Sequence, residues 1–375
     1  MIYLDYSATT KANKEVIDTF VKCSNEFIGN PNSLHKLGTK SKSLIDSATS
    51  QIVQILNIKE NEIIYTSGAS ESNNLAIKGV ADKFVNRGKH IVTTMLEHSS
   101  VSEPINFLKS KGYNIDYVKL DSNGLVDLVD LEKLIKDDTI LVSICAVNSE
   151  TGILQPLEKI AKIIKKHPKC IFHSDITQAI GKIKIDLKDI DLASFSAHKF
   201  FGIKGIGALV KKEKIELTPL IHGGKSTTIY RSGTPALPLI ASMSRALRIE
   251  VYDLDKKINY VKELNEYLKS KLIKYEKVRI NSNDYSIPHI LNISIIGVKP
   301  ETMLHALEEY DIYISTKSAC SSSNDKSEVV YQITHDSARA VSSLRISISH
   351  LTTKEEMDKF VECFDICYNK LTNLK

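Results

Sequence analysis

The sequence has no tryptophan, and its 375 residues include only six cysteines, nine prolines and 16 glycines. So little glycine and proline excludes a collagen-like or low-complexity chain. The cysteines, at 23, 145, 170, 320, 363 and 367, form no C-x-x-C pair and no zinc spacing. Neither a disulfide scaffold nor a structural metal is therefore expected, and most of the thiols should be inert. No apolar run approaches the length of a membrane span, and the start, MIYLDYSATT, lacks the basic and apolar regions of a signal peptide. The expectation is a cytoplasmic protein that contacts no membrane.

An excess of one charge sign is also missing. Fifty Lys and Arg face 45 Asp and Glu, for a formal charge of +5, and the two signs are interleaved. Without a basic arm or stripe, direct nucleic-acid binding is not expected.

What is present is alternation. Apolar, β-rich runs at Glu62–Thr66, His90–Thr94, Ile140–Val147, Cys170–Ser174 and Leu192–Ser196 are separated by longer stretches of helical period. That pattern predicts an α/β fold with a mostly parallel sheet covered by helices. Several runs end in polar clusters, which would face one crevice beyond the carboxyl ends of the strands. A charged, helix-favouring stretch from Leu239 to Tyr275 reads as a spine toward a smaller α+β C-terminal domain. Two further β-like runs, His289–Ile296 and Leu344–Ser349, and a closing helix from Thr353 complete that domain. The expected division is a large domain over 13–250 and a small one formed by 1–12 and 251–375, with a loop at about 315–335.

Three segments carry chemistry. Ala193-Ser-Phe-Ser-Ala-His-Lys199 ends a strand in a lysine, followed by the glycine-rich Phe201–Gly207. A lysine desolvated above a pocket has a lowered pKa and an amine free to form a Schiff base; a surface lysine is the plainer alternative. Ile171-Phe-His-Ser-Asp175 ends another strand in an acid, suited to keep a pyridine nitrogen protonated and equally suited to cap a helix. Tyr65-Thr-Ser-Gly-Ala-Ser-Glu-Ser-Asn-Asn74 runs from strand through a small-residue turn into a helix, where amides and hydroxyls suit a phosphate. Cys320 lies in the polar stretch Ser318-Ala-Cys-Ser-Ser-Ser-Asn324, unlike Cys145 and Cys170 among apolar neighbours, and Lys317 stands beside it.

These segments resemble the cysteine desulfurases of the class V pyridoxal-phosphate enzymes. The resemblance runs through Tyr3–Thr10, Gly29–His35, Thr66–Asn74, Glu97-His98, Val147-Asn148, His173–Asp175 with Gln178, Ser196–Lys199, Arg231–Thr234, Ser318–Ser321 and Arg345, in the family's order. It implies a fold type I transferase and a homodimer binding pyridoxal 5'-phosphate. By the same resemblance Lys199 carries the cofactor, Asp175 pairs with its ring nitrogen, Gln178 with its ring oxygen, and His98 stacks on the ring and serves acid/base steps. Ala69, Ser70, Ser196 and His198 hold the phosphate, Thr234 reaches the neighbouring subunit's phosphate, and Asn148 with Arg345 receives the carboxylate of L-cysteine. A forked guanidinium suits that carboxylate. Cys320 takes the sulfur and passes it to an acceptor protein, an iron-sulfur scaffold or a tRNA-thiolating enzyme, leaving L-alanine.

The chain departs from the family at His222-Gly-Gly-Lys-Ser-Thr-Thr228, at Lys317 before the cysteine loop, at Ser347-Ile-Ser-His-Leu351 and at Ile203. Two other expectations stay open: a selenocysteine lyase or other class V enzyme, since the same lysine and aspartate serve related reactions, and, from the altered loops, a divergent paralogue acting mainly as a sulfur-transfer scaffold.

Overall fold

A computed structural model describes residues 1–316 and 326–372. Its main sheet contains β2 (Ile63–Thr66), β3 (His90–Thr93), β4 (Asn114–Tyr117), β5 (Thr139–Ser143), β6 (Ile171–Asp175), β7 (Leu192–Ser196) and β8 (Gly207–Lys211). The order is β2-β8-β7-β6-β5-β3-β4; only β8 runs against its neighbours, so β2 again points the way β7 does. The central strands are buried at every position, the mark of a sheet covered on both faces, whereas edge strand β4 is not. The expected mixed, mostly parallel sheet is present, and β4 and β8, short or glycine-led, are additions to the strands expected from apolar runs.

One face carries α3 (Ala69–Lys83) and α4 (Ser99–Ser110), with Ile77, Val80, Val101 and Ile105 packed on the strands. The other carries α1 (Lys14–Glu26), α2 (Lys36–Leu56), α5 (Leu128–Leu134), α6 (Leu157–Ile164) and α7 (Leu237–Val251). The helix-favouring stretch from Leu239 to Tyr275 forms two helices. Tyr252 is extended and Asp253 left-handed at φ 52°, a conformation aspartate tolerates, before α8 (Leu254–Leu272) begins.

A second sheet orders β12 (Ser343–Ser347), β10 (Ile290–Ile295) and β9 (Val278–Ile280) antiparallel. Helices α8, α9 (Pro300–Glu308) and α12 (Lys354–Thr372) close its core, with Leu264, Met303, Phe360 and Phe364 buried together. The chain's start joins this core: β1 (Ile2–Tyr3) pairs with β11 (Ile312–Tyr313), Leu4 is fully buried, and Ser347 N donates to Leu4 O at 2.7 Å. Two short helices, α10 (Glu328–Thr334) and α11 (Ser337–Ala340), follow; Val329 and Ile333 pack against Leu96, Cys145 and Ile153. No helix among the described residues is long and apolar enough to cross a membrane.

Candidate active site

Because β2, β3, β5, β6 and β7 share one direction, their carboxyl ends converge, and a cavity of about 520 Å³ opens there. Residues at or after the strand ends line it: Ser67 to Glu71 after β2, Leu96 and His98 after β3, Cys145 and Val147 after β5, Asp175, Thr177 and Gln178 from β6, and Ser196, His198 and Lys199 from β7. The opposite wall is Ser7 to Thr9 and Arg345, from the two ends of the chain.

The turn into α3 is shaped by glycine. Gly68 sits at φ 156°, ψ −179°, a region essentially closed to side chains, and faces Gly207. A Cβ on Gly207 would lie 2.4 Å from Phe195 O and 2.7 Å from Gly68 Cα. Gly207 is thus required by the close approach, and Gly68 by its backbone conformation. Thr66 Oγ1 ties the turn to Ser72 Oγ at 2.8 Å, and Ser67 N donates to Glu71 Oε2 at 2.7 Å. Glu71 in turn accepts from Arg231 Nε at 3.0 Å.

Asp175, 8% exposed, is fully engaged: Oδ1 accepts from Thr177 N at 2.9 Å and Oδ2 from Asn73 Nδ2 at 2.8 Å. Oδ1 caps the turn at Thr177, while Oδ2 is held by the Asn73 amide at the cavity's edge. Lys199 follows in a 3-10 turn over Ala197–Lys199 and donates to Ser7 O at 2.5 Å and Ala8 O at 2.7 Å. Gln178 donates to the same Ser7 O at 2.9 Å and accepts from Lys182 Nζ at 2.5 Å. Burial pulls the Lys182 ammonium well below its ordinary range, helped by Lys199 and Arg345.

The titrating groups of the wall are shifted mainly by desolvation. The His198 imidazole is pushed down to about 4 by burial and then by Lys199. His98 is also lowered by burial, which outweighs Asp175. The Glu97 carboxyl is pushed up to about 7 by burial, although Oε1 accepts from Cys145 N at 2.9 Å and Thr94 Oγ1 at 2.8 Å.

Arg345 is 2% exposed, not a surface arginine. Nη1 donates to Ser149 O at 3.0 Å and Nη2 to Asp5 Oδ1 at 2.7 Å, while Nε has no partner. Ser315 pairs with Arg345 through the backbone, so the chain enters the segment after Thr316 beside this wall.

Of the residues singled out in the sequence, Ala69, Ser70, His98, Asp175, Gln178, Ser196, His198, Lys199 and Arg345 line the one cavity. Asn148 and Thr234 are not among the lining residues. Asn148 is buried behind the wall, its Oδ1 accepting from Glu150 N, Thr151 N and Thr151 Oγ1 and its Nδ2 donating to Leu96 O at 2.9 Å. In this arrangement its amide holds a turn. Thr234 is exposed. Cys320 and Lys317 lie outside the described residues. The other five cysteines, at 23, 145, 170, 363 and 367, are free and buried, and burial raises each thiol's pKa. Sequence reasoning assigned no role to Asp5, Asn73, Ser100 and Lys182. Asp5 and Asn73 lie within the segments Tyr3–Thr10 and Thr66–Asn74 that carry the resemblance, and Lys182 stands four residues after Gln178.

A helix N-terminus, a strand-end lysine and a strand-end acid around one cavity define the site of a pyridoxal-phosphate-dependent enzyme, and the residues present fit that group. Thr177 Oγ1 and Arg345 Nε, both in the wall, are buried without a protein partner, and the donors at the α3 end suit a phosphate. The model of the class-V aminotransferase family matches residues 2–360. A cysteine desulfurase IscS of Buchnera aphidicola subsp. Baizongia pistaciae is 40% identical over 383 residues, covering 100% of this chain and 94% of that protein. A solved NifS-like protein superposes with a TM-score of 0.92 at 36% identity, covering 97% of this chain and 98% of that one. The protein SspA, solved in complex with cysteine, has a TM-score of 0.83 at 32% identity, over 94% of this chain and 100% of that one. The chain belongs to the class-V aminotransferase family and, within it, to the pyridoxal-phosphate-dependent cysteine desulfurases.

Proposed function

We propose that this protein removes sulfur from L-cysteine, releasing L-alanine and leaving a persulfide on Cys320 that is delivered for iron-sulfur cluster assembly or for tRNA or cofactor thiolation. The observation that carries the reading is the meeting of Lys199, Asp175 and Arg345 around one cavity. The likeness to a protein solved with cysteine supports the substrate. The two-part division at 13–250 and 1–12 with 251–375, residence in the cytoplasm and a homodimer belong to the same proposal.

Bound in the cavity, pyridoxal phosphate supplies an electron sink for charge developing at the substrate's α-carbon. Lys199 would hold the cofactor and carry the substrate's α-proton. Asp175, its carboxylate oriented by Asn73 and Thr177, would favour a protonated ring nitrogen through its negative charge. Gln178 would hydrogen-bond the ring oxygen, and Ala69, Ser70, Ser196 and His198 would hold the phosphate, with Thr234 serving the neighbouring subunit. Arg345 takes the substrate carboxylate with its free Nε and its remaining Nη protons. Asn148, which does not line the cavity, braces the wall through Leu96 O instead of receiving the substrate. The Cys320 thiolate then attacks the substrate sulfur: the S–S bond forms, the C–S bond breaks, and its electron pair stays on the carbon that takes up a proton to become the methyl of alanine.

The test is alanine and sulfide formation from L-cysteine by the purified, cofactor-loaded protein. A Cys320→Ala chain is expected to lose persulfide formation while still binding the cofactor. Persulfide formation undiminished in that variant would remove Cys320 from the reaction.

A further inference from the structure

His98 is the N-cap of α4, and its side chain rather than a serine or aspartate caps the helix. Ser100 N donates to His98 Nδ1 at 3.1 Å. A backbone amide can only donate, so Nδ1 accepts and the ring proton sits on Nε2. The hydroxyl of Ser100 lies 2.8 Å from the same nitrogen.

A second chain of bonds points the same way. Asn73 is fully buried, and its Nδ2 donates one proton to Asp175 Oδ2 at 2.8 Å and the other to Ser100 Oγ at 2.9 Å. The carboxylate oxygen accepts, which orients the amide with its nitrogen toward Asp175. Ser100 Oγ is thereby occupied as an acceptor, and its own proton is turned toward His98 Nδ1. Four side chains thus form one line: Asp175, Asn73, Ser100, His98.

We propose that Asn73 and Ser100 are positioning residues, relaying the orientation of Asp175 to His98 and holding its imidazole as the tautomer that presents Nε2–H to the cavity. This rests on the proposed reading that the cofactor binds in this cavity, against His98 and Asp175. In that state His98 donates a hydrogen bond through Nε2 and does not take up a proton there. Protonation at Nδ1 requires both donors from Ser100 to be given up. The positive end of α4 also opposes a charge on its capping residue. Of the charged groups acting on the ring, Asp175 and Glu150 favour the cation, while Lys199, Arg345 and burial oppose it. The expected role of His98 in acid/base steps is narrowed to that of a neutral donor.

The test is 15N spectroscopy of histidine-labelled, cofactor-loaded protein, with a His98→Gln chain identifying the signal. The wild type is expected to show Nε2 protonated and Nδ1 bare across neutral pH. Ser100→Ala keeps the amide donor and loses the hydroxyl, so ring protonation becomes about tenfold easier, one unit in midpoint. Asn73→Ala moves the midpoint in the same direction, and Ser100→Thr restores the wild-type value. A wild-type ring protonated at Nδ1, or a Ser100→Ala midpoint equal to that of the wild type, overturns the relay. Borohydride reduction and mapping of the labelled lysine report separately on the site. A label away from Lys199 would overturn the cofactor position, and the relay's purpose with it, whatever the tautomer.

Discussion

The two walls of the cavity are built in different ways. The sheet wall comes from consecutive strand-turn-helix units, each presenting its polar cluster within a few residues of a buried strand. Its positions follow from strand direction alone, because every parallel strand ends at the same edge. The Arg345 wall comes from the chain's two ends. Asp5 and Arg345 are 340 residues apart, and the ladder that joins them runs from Leu4 to Ser347. One wall is local and repeated; the other exists only once the small sheet has formed and the N-terminal segment has docked on it.

The contrast yields an ordered set of expectations. The largest effect belongs to the sheet wall. Lys199→Ala should cut alanine formation by more than about 10²-fold, the scale of a positioned acid/base group, and abolish borohydride-stable labelling. Labelling retained in that variant would move the covalent site elsewhere.

On the opposite wall, Arg345→Ala removes a charged donor pair and strands Asp5. The expected loss is on the order of 10²-fold in kcat/KM for cysteine, carried mainly by KM, from about 2–3 kcal/mol of charge-assisted bonding. A kcat loss at unchanged KM would show that the wall acts on the reaction rather than on substrate binding.

The seam between the walls is tested by pH. Glu250, at the end of α7, meets Lys257 Nζ at 3.4 Å and His350 Nδ1 at 3.6 Å, and burial pushes its carboxyl up to about 7. The folded chain holds this proton to higher pH than the unfolded chain does. The stability it contributes is full below about pH 4.3 and is lost as pH rises through about 7. Between pH 5 and 8, denaturation of a Glu250→Gln chain should therefore lose less free energy than the wild type, by about 1–2 kcal/mol. Equal slopes would show that Glu250 titrates alike folded and unfolded.

The smallest effect is expected at Asp5. Asp5→Asn keeps a hydrogen-bond acceptor for Arg345 Nη2 and removes the charge, so KM for cysteine should change by no more than about fivefold, roughly 1 kcal/mol. A change as large as that in Arg345→Ala would make the two ends of the chain a single binding unit.

The sheet wall was largely legible in the sequence. Leu192–Ser196 reads as a strand and is one over the same residues, and Asp175 and Lys199 follow their strands as buried apolar runs predict. The small-residue turn at Thr66–Ser70 announces the helix that begins at Ala69. Less legible were elements whose conformation depends on contacts made elsewhere. Gly207–Lys211 reads as the tail of a glycine-rich segment, yet becomes β8 by pairing with both β2 and β7. The uniform composition of 239–275 hides a break that one left-handed aspartate introduces.

The sequence by itself determined an α/β chain, a mostly parallel sheet and the chemistry waiting at its strand ends. It did so because period and turn chemistry are local properties, read within a dozen residues. Only the tertiary structure decided which of those residues meet. Asn148 was turned inward onto its own turn, Asp5 was brought to Arg345, and Asn73 and Ser100 were set between Asp175 and His98. Hydrogen bonds between residues far apart in the chain leave no period in the sequence; they appear only when packing closes the distance.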